Sequence, residues 1–312
     1  MAQRVREAIY PQTLASAERL TFTVASQTGS PFTGNTGDLV AYPVAINGYF
    51  NWRNVAIATA VCGDGDAIVE VGANIGSETV SFSDLVGASG VVYAFEPYPP
   101  NIDALQHNVA STIYRNVTVF PVALSDHSGV ESFVAPPSRN SGYGHLGSDH
   151  GETQTPSPDN VSVRCDTLDA FLPEMRPPQL VVIDAEGHES LILKGAEQTL
   201  RGRPVLVLEV LETLLARTGS SPREVATYLA GFGYELFEIQ RFRLAAFSAD
   251  DELVPGASDW LAVPRDSGLS ARIARTLARA GFMPCLPVLN PISRRRAVGS
   301  RLGRDHAGAR RS

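Results

Sequence analysis

The sequence is poor in cysteine and in long apolar runs, and both shortages exclude classes of protein. Its three cysteines, Cys62, Cys165 and Cys285, stand far apart in 312 residues, whereas a disulfide framework or a cysteine zinc site needs closely spaced pairs. No apolar run reaches the roughly 18 residues of a membrane span. The opening MAQRVREAIY carries charges where a signal peptide needs an apolar core. We therefore expect a soluble protein of the reducing cytoplasm.

Positive charge is also scarce, and it is unevenly placed. Lysine and arginine total 26 against 33 acidic residues, which gives a net charge of -7, so a general nucleic-acid surface is not expected. Residues 265–312 nevertheless hold eleven arginines and only two acidic residues, Asp266 and Asp305. That segment carries +9, which leaves -16 for residues 1–264. The chain therefore combines an acidic body with a basic end.

Short apolar runs alternate with segments of helical period from residue 67 onward. Strands are predicted at 67–71, 91–95, 117–124, 180–184, 205–210, 234–239 and 259–263, with an extra one at 130–136. Apolar residues three and four apart predict helices at 78–86, 100–110, 189–200 and 222–233. This alternation indicates an α/β fold with a doubly wound, seven-stranded, mostly parallel sheet. The last connection has no room for a helix, so the last strand should be antiparallel to its neighbour.

The same patterns divide the chain into three regions. Residues 1–66 mix polar residues, Gly and Pro and predict a short helix followed by a loop-rich lead-in or cap. Residues 67–264 form the α/β domain, interrupted at 137–160 by a long polar loop that is either a substrate lid or a disordered insertion. Residues 265–312 comprise a basic helix at 269–281 and a tail expected to be disordered.

The first predicted strand ends in EVGANIG, a loop suited to close approach of a ligand. Gly72 and Gly76 permit a tight turn without a Cβ, and Asn74 tolerates unusual backbone angles. Asn74 takes the place of the second glycine of the dinucleotide motif, so an NAD-dependent oxidoreductase is disfavoured. Glu70 would repel a phosphate and attract a cationic ligand. The loop thus favours a cofactor that has no pyrophosphate.

Two further strand tips carry groups suited to an adenosine. Glu96 lies at the second tip, where its carboxylate can accept hydrogen bonds from both ribose hydroxyls. Ser125 and Asp126 follow the third strand, where the Asp126 carboxylate can accept from the exocyclic amine of adenine. An ordinary turn is the alternative for Asp126. Acidic groups at three successive strand tips indicate S-adenosylmethionine (SAM), whose sulfonium is a cation.

With these residues the sequence resembles the FkbM-type family of class I SAM-dependent methyltransferases. The matching stretches include EVGANIGSETV, VVYAFEPYPPNIDALQHNV and LVVIDAEGHESLILKGAEQTL, in the family's order over about residues 67–263. The resemblance implies a Rossmann-like methyltransferase domain that moves a methyl group from SAM to a hydroxyl of a sugar, a polyketide or another natural product. Glu70 stands where the family more often has Asp, a change that preserves the charge.

The fourth strand tip, IDAEGHE, is the predicted acceptor side. Asp184, Glu186 and His188 alternate there, so their side chains can converge, and Gly187 permits the turn into the next helix. Methyl transfer to oxygen requires alignment of the hydroxyl and removal of its proton. His188 is therefore a candidate general base, with the orienting of a neighbour as its alternative role, and Asp184 and Glu186 are candidate catalytic carboxylates.

Several alternatives stay open at this stage. Asp184, Glu186 and Glu209 form a candidate Mg²⁺ site, since oxygen ligands suit that ion. The acceptor is expected to be a small hydroxylated molecule; an RNA 2′-hydroxyl or an amine is the alternative, and the RNA case predicts steep salt dependence. A SAM-binding module without turnover is a third alternative. The aromatic run at 49–52 either stacks on a sugar or adenine or packs the lead-in against the sheet, and the oligomeric state is open.

Overall fold

The computed structural model describes residues 2–147, 160–251 and 257–282. The strands are β1 Thr21–Ala25, β2 Pro31–Asn35, β3 Ala67–Val71, β4 Val91–Phe95, β5 Val117–Phe120, β6 Ala123–Leu124, β7 Gly129–Val134, β8 His145–Leu146, β9 Asn160–Asp166, β10 Leu180–Ile183, β11 Val205–Leu211, β12 Tyr234–Ile239, β13 Leu244–Phe247 and β14 Ala257–Pro264. The α-helices are α1 Ala2–Ile9, α2 Gln12–Glu18, α3 Ala41–Asn47, α4 Trp52–Val61, α5 Thr79–Val86, α6 Pro99–Ala110, α7 Glu189–Lys194, α8 Glu197–Arg201, α9 Glu212–Leu215, α10 Pro222–Gly231 and α11 Leu269–Phe282. Short 3-10 helices cover Ser141–Tyr143, Leu168–Glu174, Ala216–Thr218 and Arg265–Ser267.

The main sheet has the strand order β13-β12-β14-β11-β10-β3-β4-β5. Strands β11, β10, β3, β4 and β5 pair in parallel, and β14 lies between β11 and β12, antiparallel to both. The predicted doubly wound sheet with an antiparallel last strand is therefore confirmed. The strand count was wrong: the sheet has eight strands, because the chain turns back after Gln240 and adds β13 beside β12.

Two predicted elements are divided in the structure. The run 117–124 leaves the main sheet after Phe120, since Pro121 has no N–H for a sheet hydrogen bond, and β6 pairs with β9 instead. Residues 189–200 form α7 and α8 rather than one helix. Between them lies Gly195, where a Cβ would collide with the backbone oxygen of Ser125. A contact distant in sequence thus places this break.

A second sheet, ordered β6-β9-β7-β8, forms from the segment that interrupts the domain. The extra strand predicted at 130–136 is confirmed as β7, which pairs antiparallel with β9. The predicted loop is ordered at its near end, where the 3-10 helix Ser141–Tyr143 precedes β8. Residues 148–159, and with them His150, lie outside the described residues.

The N-terminal region holds more regular structure than a loop-rich lead-in, and that expectation was wrong. Strands β1 and β2 form an antiparallel hairpin, and its turn is held by Asp84 of α5, which accepts hydrogen bonds from Thr28 and Ser30. Phe32 and Val44 share an apolar core with residues of the first glycine-containing loop and α5. The hairpin thus depends on a partner that the local sequence does not show. Our division at residues 66 and 264 stays a proposal.

The basic segment begins as a helix that packs on the domain. Ile273, Leu277 and Ala280 of α11 are buried in one core with Val55 and Ile57 of α4. Helix α11 therefore contributes to the apolar core, while the tail predicted to be disordered lies outside the described residues beyond 282. Within the described ranges, no helix has both the length and the apolar character that a membrane crossing requires.

Candidate active site

Two adjoining cavities open where β3, β4, β10 and β11 end. The first cavity is lined by the loop after β3, the tip of β4, residues 122–124 and residues 140–146. The second cavity is lined by α1, residues 49–54, Arg241, Phe242 and the end of α11. The two share five residues: Phe50, Glu78, Val182, Asp184 and Glu209. A ligand in either cavity therefore meets the same carboxylates.

The glycine-containing loop has the positive φ angles that its residues suggest. Gly72 has φ +83°, and a Cβ there would collide with the backbone oxygen of Asp184. Asn74 adopts φ +51° and accepts a hydrogen bond from Ser141 at 2.9 Å. Gly76, at φ +84°, is buried against Leu105 of α6, behind the cavity. The close approach of Asp184 thus requires a residue without a Cβ at position 72, as does any ligand that contacts this loop.

Replacing Gly72 by alanine should therefore destabilise the fold strongly. We expect Gly72→Ala to lower the free energy of unfolding by about 2–5 kcal/mol, because strain at positive φ adds to the collision with Asp184. Gly231→Ala is the matched control, since Gly231 ends α10 and a Cβ added there would meet no atom within 4 Å. The measurement is the midpoint of urea unfolding of each variant. Equal midpoints for the two variants would contradict the prediction.

Glu96 organises the first cavity. Its two carboxylate oxygens accept the backbone N–H groups of Asn74 and Tyr98, each at 2.9 Å. Burial raises its pKa to about 7, and these backbone hydrogen bonds oppose the shift. A carboxylate has about four lone-pair sites in all, so Glu96 keeps accepting capacity for a ligand. This arrangement suits the predicted contact with ribose hydroxyls.

Two buried carboxylates line the cavity with an oxygen that has no hydrogen-bond partner. Glu70 is 4% exposed and its Oε2 is unpaired, as is Oε1 of Glu78, which is 8% exposed. Burial raises the pKa of Glu70 to about 8 and that of Glu78 well above its usual range. Unpaired polar atoms at this depth are costly. A polar or cationic ligand would satisfy both oxygens.

The structure does not bring Ser125 and Asp126 into the cavity lining. Ser125 is fully buried, while Asp126 is exposed and pairs with His127 at 2.9 Å. The cavity is instead closed at this end by the apolar residues Val122 and Leu124. The predicted contact between Asp126 and adenine would therefore need this turn to rearrange.

Asp184, Glu186 and Glu209 converge as their positions at strand tips suggest. Their carboxylate oxygens lie within 4.8 Å of one another. Burial raises the pKa of Asp184 and of Glu186 to about 7 and that of Glu209 to about 9. A hydrogen bond joins Asp184 to Glu209, lowering the pKa of the former and raising that of the latter. Glu209 thus has the higher pKa of the two and donates the proton of this hydrogen bond, which Asp184 accepts.

The turn after β10 places its other polar groups differently. Glu186 has a left-handed backbone with φ +50°, a conformation that costs energy for a residue with a Cβ. His188 lines the first cavity, its Nε2 lies 3.0 Å from Ser125 Oγ, and burial lowers its pKa to about 4. Glu189 turns back and accepts the N–H groups of Ala185 and Gly187. His188 is therefore a neutral, weakly basic group.

Residues 140–146 cover the first cavity. Ser141 donates its N–H to Asp38 at 3.1 Å, and its carbonyl accepts from Asn101 at 3.1 Å. Together with the bond to Asn74, these contacts tie the covering segment to the N-terminal region, to α6 and to the glycine-containing loop. His145 belongs to the same lining.

Sequence reasoning missed three residues of the site: Glu78, Asn101 and Ser141. For Glu78, the available signal was an acidic residue directly after the glycine-containing loop.

Comparison with known proteins identifies the family of this chain. The family model described as the methyltransferase FkbM domain matches residues 70–236. The chain belongs to this family. Hexuronic acid methyltransferase AglP of Haloferax volcanii is 28% identical over 169 residues, which are 53% of this chain and 62% of that protein. The chain thus spans less than two thirds of this relative. The match to the FkbM domain confirms the resemblance.

Solved structures of methyltransferases also align with this FkbM protein. Methyltransferase FkbM from Methylobacillus flagellatus KT has a TM-score of 0.43 at 15% identity and covers 64% of this chain and 44% of its own. An rRNA methylase from Streptococcus thermophilus has a TM-score of 0.39 at 11% identity and covers 68% and 95%.

Proposed function

We propose that this protein is a SAM-dependent O-methyltransferase acting on a hydroxyl of a sugar, a polyketide or another natural product. The observation that carries the proposal is the arrangement of two adjoining cavities around Asp184 and Glu209, one suited to the cofactor and one to an acceptor. The hexuronic acid named for the relative AglP supports a sugar-like acceptor. A role in secondary metabolism and a cytoplasmic location belong to the same proposal.

The first cavity fits SAM. Glu96 would accept the ribose hydroxyls, and the unpaired oxygen of Glu70 would face the cationic methionine part. Gly72 and Asn74 would bring the loop backbone close to it, while Val122 and Leu124 offer an apolar surface for adenine. Bound there, SAM would supply an electrophilic methyl group whose bond to sulfur breaks as the bond to the acceptor oxygen forms, leaving S-adenosylhomocysteine.

Asp184 is the best-placed general base, in preference to His188. Asp184 lines both cavities, whereas His188 lines only the first and is engaged with Ser125. A carboxylate with a pKa near 7 is half ionised at neutral pH and matches its task, while a histidine with a pKa near 4 is a weak base. Asp184 would take the proton of the acceptor hydroxyl, and Glu209 would hold Asp184 in place by its hydrogen bond.

A divalent cation is a second role for the same carboxylates. The observation that favours it is the convergence of Asp184, Glu186 and Glu209, whose oxygens suit Mg²⁺. A cation held by these carboxylates would lower the pKa of all three and would supply positive charge beside the acceptor oxygen. Turnover measured after EDTA treatment, with and without added Mg²⁺, separates the roles: unchanged turnover favours Asp184 as a metal-free base.

The function is tested by following the methyl group. Purified protein is titrated with SAM and, separately, with NADH in a calorimeter, and deuterated-methyl SAM is then supplied with sugars, polyketides, amines and RNA. We expect SAM binding and a label on oxygen of a hydroxylated acceptor. A label on nitrogen or on RNA, lost steeply with salt, would replace the proposed acceptor. SAM binding without turnover on any acceptor would indicate a non-catalytic module.

A further inference from the structure

Arginines form one wall of the second cavity. Arg4 and Arg6 come from α1, Arg53 from α4, and Arg241 from the turn between β12 and β13. These elements are far apart in sequence, so only the fold brings the four guanidinium groups to one cavity. Of the acidic residues around this cavity, Glu78, Asp184 and Glu209 are shared with the first cavity. The second cavity therefore offers a ligand both guanidinium groups and carboxylates.

Arg53 retains hydrogen-bonding capacity in this wall. One terminal nitrogen lies 3.6 Å from Asp259, but the buried Nε has no hydrogen-bond partner. A buried N–H of a charged group without an acceptor costs free energy. Glu7 is the other acidic residue beside the arginines. An anionic ligand group in the cavity would supply the acceptor that Arg53 lacks.

Aromatic rings complete the same wall. The centroids of Trp52 and Phe242 are 6.4 Å apart. The Arg53 guanidinium lies 5.8 Å from the Trp52 ring, and that of Arg241 lies 5.1 Å from the Phe242 ring. Gly281 of α11 leaves room for these rings, since a Cβ there would collide with Phe242. The result is an aromatic surface formed by Trp52 and Phe242, with a guanidinium group over each ring.

We propose that the second cavity is the acceptor site and that it takes a hydroxylated ring compound bearing a carboxylate or a phosphate. The anionic group binds Arg6, Arg53 and Arg241, and the ring lies on the aromatic surface. The reacting hydroxyl then points to Asp184 and Glu209, where the two cavities meet. This inference rests on the proposed methyltransferase function. It narrows the acceptor from any hydroxylated natural product to one that also bears an acidic group.

The test is calorimetric binding of three probes to the full chain saturated with S-adenosylhomocysteine. The probes are glucuronate, glucose 6-phosphate and neutral glucose, so the carboxylate and phosphate sources are compared directly. We expect one of the anions to bind at least about tenfold more tightly than glucose, and the preference to weaken with salt. Arg53→Gln and Arg241→Gln should each weaken binding of that anion about tenfold or more, because each loses a charge-assisted contact.

Arg243→Gln is the matched control, since Arg243 lies in the same turn but bonds to Gln240 and does not line the cavity. Equal binding of glucose and both anions, no binding of either anion, or equal effects of the Arg241 and Arg243 substitutions would overturn the inference. Arg241 is exposed, so its variant should fold even if the Arg53 variant does not. Failure of the wild type to bind SAM or S-adenosylhomocysteine would instead reject the methyltransferase proposal itself.

Discussion

Glu96→Ala is expected to weaken SAM binding by at least about a hundredfold. Glu96 fixes the backbone N–H groups of Asn74 and Tyr98, so its loss removes the proposed ribose contacts and also releases the loop that shapes the cavity. Hydrogen bonds to a charged group contribute about 1.5–3 kcal/mol each, and two of them correspond to about a hundredfold or more in Kd. Calorimetric titration with SAM measures the effect.

The control for this prediction is Asp126→Ala. Asp126 is also an acid that follows a strand tip, but it is exposed, pairs with His127 and does not line the cavity. We expect its SAM affinity to match that of the wild type. A loss as large as that of Glu96→Ala would restore the contact between Asp126 and adenine that the sequence suggested. An unchanged Kd for Glu96→Ala would remove the proposed ribose site.

Asp184→Asn should lower kcat by about 10²–10⁴ while leaving the Kd for SAM within a few-fold of the wild type. The range is that of a lost general base, and asparagine keeps the size of the side chain. In the wild type, kcat/KM should rise as the pH increases through about 7, because Asp184 accepts a proton only when ionised. It should fall again near pH 9, where Glu209 loses the proton that it donates to Asp184. The two apparent values belong to the coupled pair.

His188→Gln distinguishes the two candidate bases. His188 has a pKa near 4 and bonds to Ser125, so its replacement should change kcat less than about tenfold and keep the rise near pH 7. The measurement is the pH dependence of kcat/KM for the Asp184→Asn and His188→Gln variants. Equal SAM affinity of the two variants shows that both are folded. If the rise of kcat/KM near pH 7 disappeared only in His188→Gln, the general base would be His188.

Individual strands show how much of the fold can be predicted from local sequence. The predicted strands 67–71, 91–95 and 234–239 match β3, β4 and β12 residue for residue, because short apolar runs between turn residues carry their own signal. The strand predicted at 117–124 failed at Pro121, and β13 was not predicted. Both errors concern pairing, which depends on residues outside the run.

Some features of the candidate site could likewise be predicted from the sequence, and others could not. The sequence grouped Asp184, Glu186 and Glu209 only as a candidate Mg²⁺ site. The structure brings their carboxylates within 4.8 Å of one another, because the carboxyl ends of adjacent parallel strands meet at one edge. The position of Asp126 was not predictable, because the turn after β6 follows the second sheet away from the cavity. The arginines of the second cavity escaped notice because they come from α1, α4 and the turn between β12 and β13, which only the fold brings together.

By itself, the sequence determined the alternation of strands and helices, the family motifs and the carboxylates at the strand tips, since these are local patterns of periodicity and spacing. Only the tertiary structure decided which carboxylate is ionised, which histidine is neutral and where the arginines gather. Burial and neighbouring charges set those properties, and both arise from residues that are distant along the chain. The identity of the carboxylates at the strand tips therefore follows from the local sequence, while their protonation is set by packing.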